Sequence, residues 1–169
     1  MPNYKDIENL SERTMAKIQK IMKVSAMQLF KSVIMMTPVD TGRAKGNWQC
    51  TMTKPADGII DSKQSEEATI AKMVETTLKS SIRNGIFLTN NLPYIQKLEY
   101  GGYPNPVKQG SYLKSGQTKG QHTGPGFFKF SEGGYSKQAP TGMVRVSLER
   151  IEKDWKESIE DIIEKEDGV

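Results

Sequence analysis

The sequence is poor in the side chains that most active sites need. Its 169 residues include one histidine, His122, and one cysteine, Cys50. A single cysteine excludes an intrachain disulfide, and one histidine with one cysteine excludes the usual nitrogen–sulfur metal cluster within a monomer. The chain also has no phosphate-cradling glycine motif and no nucleophile elbow. We therefore expect no catalytic residue, no metal, no cofactor and no enzymatic activity.

The two exceptional residues have ordinary explanations in their surroundings. His122 lies among glycines, where a catalytic base would lack a rigid orienting partner. Cys50 alternates with Trp48 and Met52, which is typical of a thiol in the core of a half-buried strand. A hydrolase with a site shared between subunits is the remaining enzymatic alternative, and no motif supports it.

Long apolar runs and a charge excess are also missing. No run approaches the length that spans a bilayer, and the N-terminus lacks the charged-then-apolar design of a signal peptide. These absences predict a soluble, cytoplasmic product with no membrane partner. The net charge of +4, with a pI of about 9.0, does not by itself imply nucleic acid.

Helical periodicity dominates both ends of the chain. Residues 4–36 contain no glycine or proline, and Pro38 is expected to end a long helix there. A second stripe, from Val144 to Ile163, predicts a last helix over about 141–165 with Pro140 at its start. The stripe of the first helix recurs at steps of mostly three and four residues: Ile7, Leu10, Ile18, Ile21, Met22, Ser25, Leu29, Val33 and Met36.

Shorter elements are predicted between these helices. Residues 47–53 and 86–90 read as strands, 65–80 as a helix and 93–100 as a short helical turn. Two or three further short strands are expected within 54–62 and 103–135. The order predicts an α+β fold in a single domain, 1–169, with helices packed on a small, mainly antiparallel sheet.

Residues 101–138 form a segment of different composition. They hold nine of the 15 glycines, and five lysines against one glutamate give a net charge of +4. Such a loop is either functional or disordered. Lysines among aromatic residues can bind nucleic acid, or the loop can become ordered on contact with a protein partner. The lack of arginine in this segment favours contact with a protein. The candidate contact residues are Lys108, Tyr112, Lys114, Lys119, Phe127, Phe128, Lys129 and Phe130.

The two terminal helices carry opposite charge. Residues 5–31 hold six basic and three acidic side chains, a balance of +3, whereas 145–167 hold five basic and nine acidic side chains, a balance of −4. Such helices can pair within one subunit or across an interface between subunits. The alternative is two unrelated solvated faces.

Three stretches in this order resemble a known family. TPVDTGRAKGNW (37–48) follows the first helix, NNLPYIQKLEYG (90–101) follows a strand, and QAPTGMVRVS (138–147) opens the last helix. The set is similar to the tail-completion or neck proteins of tailed bacteriophages, a resemblance that spans most of residues 1–165. It implies a structural virion protein in the neck or tail, made in the host bacterial cytoplasm. It also implies a ring, expected to be hexameric, between the head connector and the tail-tube or tail-terminator proteins, with DNA passing through its lumen.

Within these stretches we interpret the notable residues as mainly architectural. Asp40 and Gly42 suit a tight turn, and Arg43 is expected to pair with Asp40 or with an acid such as Glu99. Gly101 is expected at a positive backbone φ. The alternative for the set is direct contact between subunits, and the alternative function is nucleic-acid binding through 101–138. The full set is Asp40, Gly42, Arg43, Trp48, Tyr94, Glu99, Tyr100, Gly101, Gly142 and Met143.

Overall fold

The protein is an α+β fold of helices around a two-stranded antiparallel sheet, as the sequence predicts. The structure is a computed structural model that describes residues 4–61, 64–102, 134–136 and 138–167, with side chains except at 6, 7 and 157–167. The elements in chain order are α1 (Tyr4–Met36), α2 (Arg43–Gly46), β1 (Gln49–Met52), α3 (Glu66–Lys79), β2 (Ile86–Thr89), α4 (Ile95–Tyr100) and α5 (Val144–Asp167).

Helix α1 has the predicted bounds but packs along only part of its length. Its C-terminal half supplies Phe30, Val33 and Ile34 to the core, and Ile34 has no exposed surface. Leu10 and Ile18, which belong to the predicted stripe, remain 66% and 42% exposed. The helix ends as predicted before Pro38, because the residue before a proline is disfavoured in the helical region.

The sheet is short, and α3 covers it. β1 and β2 pair antiparallel with Cys50 opposite Leu88, and both strands are shorter than predicted. Trp48 therefore lies just before β1. Helix α3 packs against α1 and β1, and Ser65 caps it by accepting a hydrogen bond from Ala68 N at 3.1 Å.

The core joins residues from nearly every element. Met73 from α3 and Met143, just before α5, are almost fully buried beside Ile34 of α1. The buried cluster is Phe30, Val33, Ile34, Ala44, Trp48, Met73, Leu92, Leu98 and Met143.

Helix α5 packs antiparallel to the C-terminal half of α1. The hydroxyls of Ser32 and Ser147 are 2.9 Å apart, and Trp155 Nε1 donates to Ser25 Oγ. Contacts therefore move toward the N-terminus of α1 as α5 proceeds. Ser147 is fully buried, a position that the predicted stripe of the last helix does not include, because that stripe contains apolar residues only.

Several predicted details are wrong. Helix α5 begins at Val144, so Pro140 lies in the preceding turn and not at the helix start. Residues 54–61 contain no strand; amide side chains hold this segment instead, with Asn91 Nδ2 donating to Ala56 O and Gly58 O. The one-turn helix α2, which directly follows the predicted turn, is not among the predicted elements. The strands expected within 103–135 fall almost entirely outside the described residues.

Candidate functional site

A single carboxylate joins two of the three family-like stretches. Glu99, near the end of α4, accepts hydrogen bonds from the backbone N–H groups of Met143 and Val144, both at 2.8 Å through Oε2. Its Oε1 accepts from Arg145 N at 3.0 Å. The first N–H groups of a helix have no partner within that helix, and the helix dipole favours negative charge there. Glu99 therefore caps α5 from a position 45 residues earlier in the chain.

Arg145 closes this contact from the other side. Its Nε donates to Glu99 Oε1 at 3.1 Å, and its Nη2 donates to the backbone oxygen of Glu99 at 2.7 Å. The guanidinium also lies 5.0 Å from the ring centroid of Tyr100 and hydrogen-bonds to Tyr135. Of the two partners expected for Arg43, Asp40 or an acid such as Glu99, the second is wrong, because Arg145 takes the position beside Glu99. We call Glu99, Tyr100, Gly142, Met143 and Arg145 the Glu99 cluster.

Two glycines permit the close approach within the cluster. Gly101 ends α4 with a φ of 77°, which confirms the predicted positive angle. Gly142 has a φ of 89°, and a Cβ placed on it would lie 2.5 Å from the backbone oxygen of Glu99. L-residues rarely adopt such a φ, so a side chain at 142 would be strained by both its backbone angle and this contact.

The electrostatics of Glu99 favour its charged form. Burial alone would raise the pKa of this carboxyl, which is only 6% exposed. The N–H groups of Met143, Val144 and Arg145, together with the Arg145 guanidinium, outweigh that effect and lower the pKa below its ordinary value. The carboxylate therefore holds α5 in place as a charged cap.

The remaining family-like stretch, residues 37–48, forms a second cluster around the end of α1. Trp48 Nε1 donates to Thr37 Oγ1 at 2.8 Å, and Thr37 Oγ1 donates to Val33 O at 2.7 Å. Both side chains are buried. This chain of two hydrogen bonds fixes the turn after α1 to the residue that precedes β1.

Tyr94, just before α4, is affected by the charges of two residues near the predicted turn. Burial raises the pKa of its phenol, the charge of Arg43 lowers it and the charge of Asp40 raises it, with a net upward shift. Gly42, next to Arg43, has a φ of 81°. The interpretation of this motif set as mainly architectural and its alternative, direct contact between subunits, both stay predictions.

Gln138 links the two clusters. Its side-chain Oε1 accepts from Val39 N and its Nε2 donates to Val39 O, both at 2.8 Å. The amide thus pairs with the backbone as a neighbouring strand would. Arg145 and Gln138 lie within a stretch that sequence reasoning singled out, but neither was assigned a role. Their partners lie 46 and 99 residues away, so no local pattern identifies them.

The chemistry of these clusters is that of binding and capping. Among the residues that the structure describes, no group of three or more histidine, cysteine, aspartate or glutamate side chains is placed to hold a metal ion. Burial raises the pKa of the Cys50 thiol, and a hydrogen bond with Thr77 partly offsets this rise. The raised pKa disfavours the reactive thiolate. His122 and the eight loop candidates, Lys108 to Phe130, lie outside the described residues.

Comparison with known proteins gives no match. No family model fits the chain, and no curated protein or solved structure is significantly similar to it. Among the helices in the described ranges, none is both long and apolar enough to cross a membrane. The resemblance of the three stretches to phage neck proteins therefore stays a prediction from the sequence.

Proposed function

We propose that this chain is a structural subunit of the neck of a tailed bacteriophage, where copies form a closed ring that joins the head connector to the tail. The N-terminal half of α1, Tyr4–Lys20, carries this proposal. All of its described side chains except Gln19 are exposed. Four of them are large and apolar: Tyr4 at 81%, Leu10 at 66%, Met15 at 45% and Ile18 at 42% exposure.

An isolated subunit lacks the stabilisation that burial of this exposed half would provide. Burying a large apolar side chain contributes about 1.5–3 kcal/mol, and most helical stability in proteins comes from tertiary packing. Clustered apolar exposure is typical of surfaces that bind another protein. A helix that continues about 25 Å beyond its packed half is therefore best explained as an assembly element.

The Glu99 cluster supports the same proposal indirectly. Its carboxylate is committed to three backbone N–H groups and one guanidinium. The contacts fix where α5 begins, and Arg145 contacts both Tyr100 and Tyr135, which precede and follow residues 103–133 in the chain. A rigid base of this kind suits a subunit that presents a long segment to neighbouring connector or tail proteins.

The test is assembly of the full chain and its place in the particle. Native mass spectrometry and electron microscopy of the purified protein should detect one closed ring, expected to contain six copies. Particles lacking the protein should regain head–tail joining when it is supplied. A monomer at every concentration that also fails to restore joining would overturn the proposal.

Nucleic-acid binding through residues 101–138 stays the alternative. Replacing Lys114, Lys119 and Lys129 together with alanine should abolish DNA retention if that alternative is right, with a steep dependence on salt. The ring proposal expects assembly to survive this triple substitution.

A further inference from the structure

Helix α1 has a second stripe, on the side away from the core. Its seven members are separated by steps of three, four or seven residues, so they share one helix face. All seven are exposed with the rest of the subunit in place. We call this the outward face; it consists of Leu10, Arg13, Lys17, Lys20, Val24, Lys31 and Met35.

The contacts of α1 fix the direction of this face. Lys23 donates to Leu78 O at the end of α3 at 2.6 Å, whereas Ser25 and Ser32 contact α5. Around the helix axis, the core residues Val33 and Ile34 lie on the same side of α1 as those contacts. The outward face lies opposite them, and each of its seven side chains is exposed.

The outward face is basic and partly apolar. Residues 13–36 contain five basic side chains and no acidic one, and four of the five lie on this face. They are distributed over about 27 Å of helix. Between and beside them, Val24 is 44% exposed and Met35 is 53% exposed. A mixed surface of this kind suits a protein partner that supplies both negative charge and apolar area.

The chain itself contains a helical segment of opposite charge. Residues 157–167, the end of α5, hold six acidic side chains and one basic side chain, a balance of −5, on a continuous helix. Because α5 runs antiparallel beside α1, each subunit carries a basic helix face and an acidic helix end on neighbouring helices. Two different, complementary surfaces on one subunit are what a head-to-tail ring contact requires.

We propose that the outward face of α1 binds the acidic end of α5 from a second copy of this chain. The inference rests on the proposed ring and names the surfaces that build it. A nucleic acid would match the basic residues alone, whereas a second copy also accounts for the exposed Val24 and Met35.

The test exchanges charges between the two surfaces. Variant A carries Lys20→Glu with Lys31→Glu, and variant B carries Glu160→Lys with Glu164→Lys. Each variant alone should lose the ring, with association weakened at least about tenfold, because variant A changes the basic residues of the face from +4 to 0 and variant B changes residues 157–167 from −5 to −1. An equimolar mixture should form dimers of one A and one B subunit, because the unmodified face of B can still bind the unmodified helix end of A.

A matched control carries Lys54→Glu with Arg83→Glu, the same charge change at two exposed sites near the β1–β2 end of the sheet. It should assemble like the unmodified chain. Rings that persist in variant A, or a mixture that stays dissociated, would overturn this interface while leaving the proposed ring standing. Absence of a ring in the unmodified chain would instead remove the proposed function. Loss of duplex DNA retention in variant A with rings intact would assign the face to nucleic acid and overturn the inference.

Discussion

The two halves of α1 obey different constraints although they form one continuous helix. The C-terminal half, residues 21–36, has Val33 and Ile34 in the core and contacts α3 and α5 through Lys23, Ser25 and Ser32. Among the described side chains of the N-terminal half, the large apolar residues are exposed and none has a core position. The stability of the subunit therefore explains the first of these halves, and the proposed ring would explain the second.

The comparison of the two halves predicts that the residues most important for stability are those that join distant parts of the chain. Of the single substitutions, Glu99→Ala should have the largest effect, about 3 kcal/mol lost from the free energy of unfolding. The substitution leaves three helix N–H groups without their acceptor, and an unsatisfied buried polar group costs about 1–3 kcal/mol. Urea denaturation at neutral pH measures the loss.

Glu75→Ala is the matched control for that experiment. Glu75 also pairs with a basic residue, Lys79, but both side chains are 65% exposed. An exposed pair contributes little because water and salt screen it. If both substitutions lowered stability equally, the buried cap would not be the reason for the effect.

Gly142→Ala should rank second, with a loss of about 2 kcal/mol from a positive φ combined with a close contact. Two other glycines separate these causes. Gly102 has a φ of 94° with nothing near its added Cβ, whereas Gly58 has open space and no positive φ. The expected order of destabilisation by alanine is therefore Gly142, then Gly102, then Gly58, as measured by thermal unfolding. An effect at Gly102 as large as at Gly142 would exclude the contact with Glu99 as a cause.

Lowering the pH should remove the contribution of Glu99 to the free energy of unfolding, with a smaller effect than Glu99→Ala or Gly142→Ala. The pKa of this carboxyl is lowered in the folded state, so its contribution is complete above the unfolded value of about 4.3. It is then lost as the pH falls through the lower folded pKa. Urea midpoints for the unmodified chain and Glu99→Gln should therefore differ at pH 7 and converge in acid. A constant difference at every pH would mean that the charge of Glu99 does not contribute.

Sequence reasoning succeeded where neighbours along the chain determine the structure. The bounds of α1 follow from an uninterrupted helical pattern that Pro38 ends, and the start of α3 follows from Ser65 before two glutamates. These signals act within a turn or two of helix. The antiparallel α+β architecture follows from the order of such elements.

Contacts between distant residues could not be predicted in the same way. Glu99 and Arg145 belong to two stretches that looked familiar, yet nothing local says that one caps the helix containing the other. The outward face of α1 could not be predicted because its basic residues alternate with Leu10, Val24 and Met35. Apolar periodicity alone does not identify such a mixed stripe. Only the direction of the packed face, fixed by Lys23 and Ser25, defines it.

The smallest effect on stability is expected in the N-terminal half of α1. Leu10→Ser with Ile18→Ser should change the free energy of unfolding of the subunit by no more than about 0.5 kcal/mol, because surface substitutions away from packed features rarely do more. The same variant should lose the ring, which native mass spectrometry would detect as a shift to monomer.

A second variant makes this contrast decisive. Val33→Ser with Ile34→Ser applies equivalent chemistry to the buried half of α1, and it should unfold the subunit under mild conditions because it buries unpaired hydroxyls in the core. If Leu10→Ser with Ile18→Ser destabilised the monomer to a similar degree, the N-terminal half would pack within its own subunit. The division of α1 into a folding half and an assembly half would then be wrong.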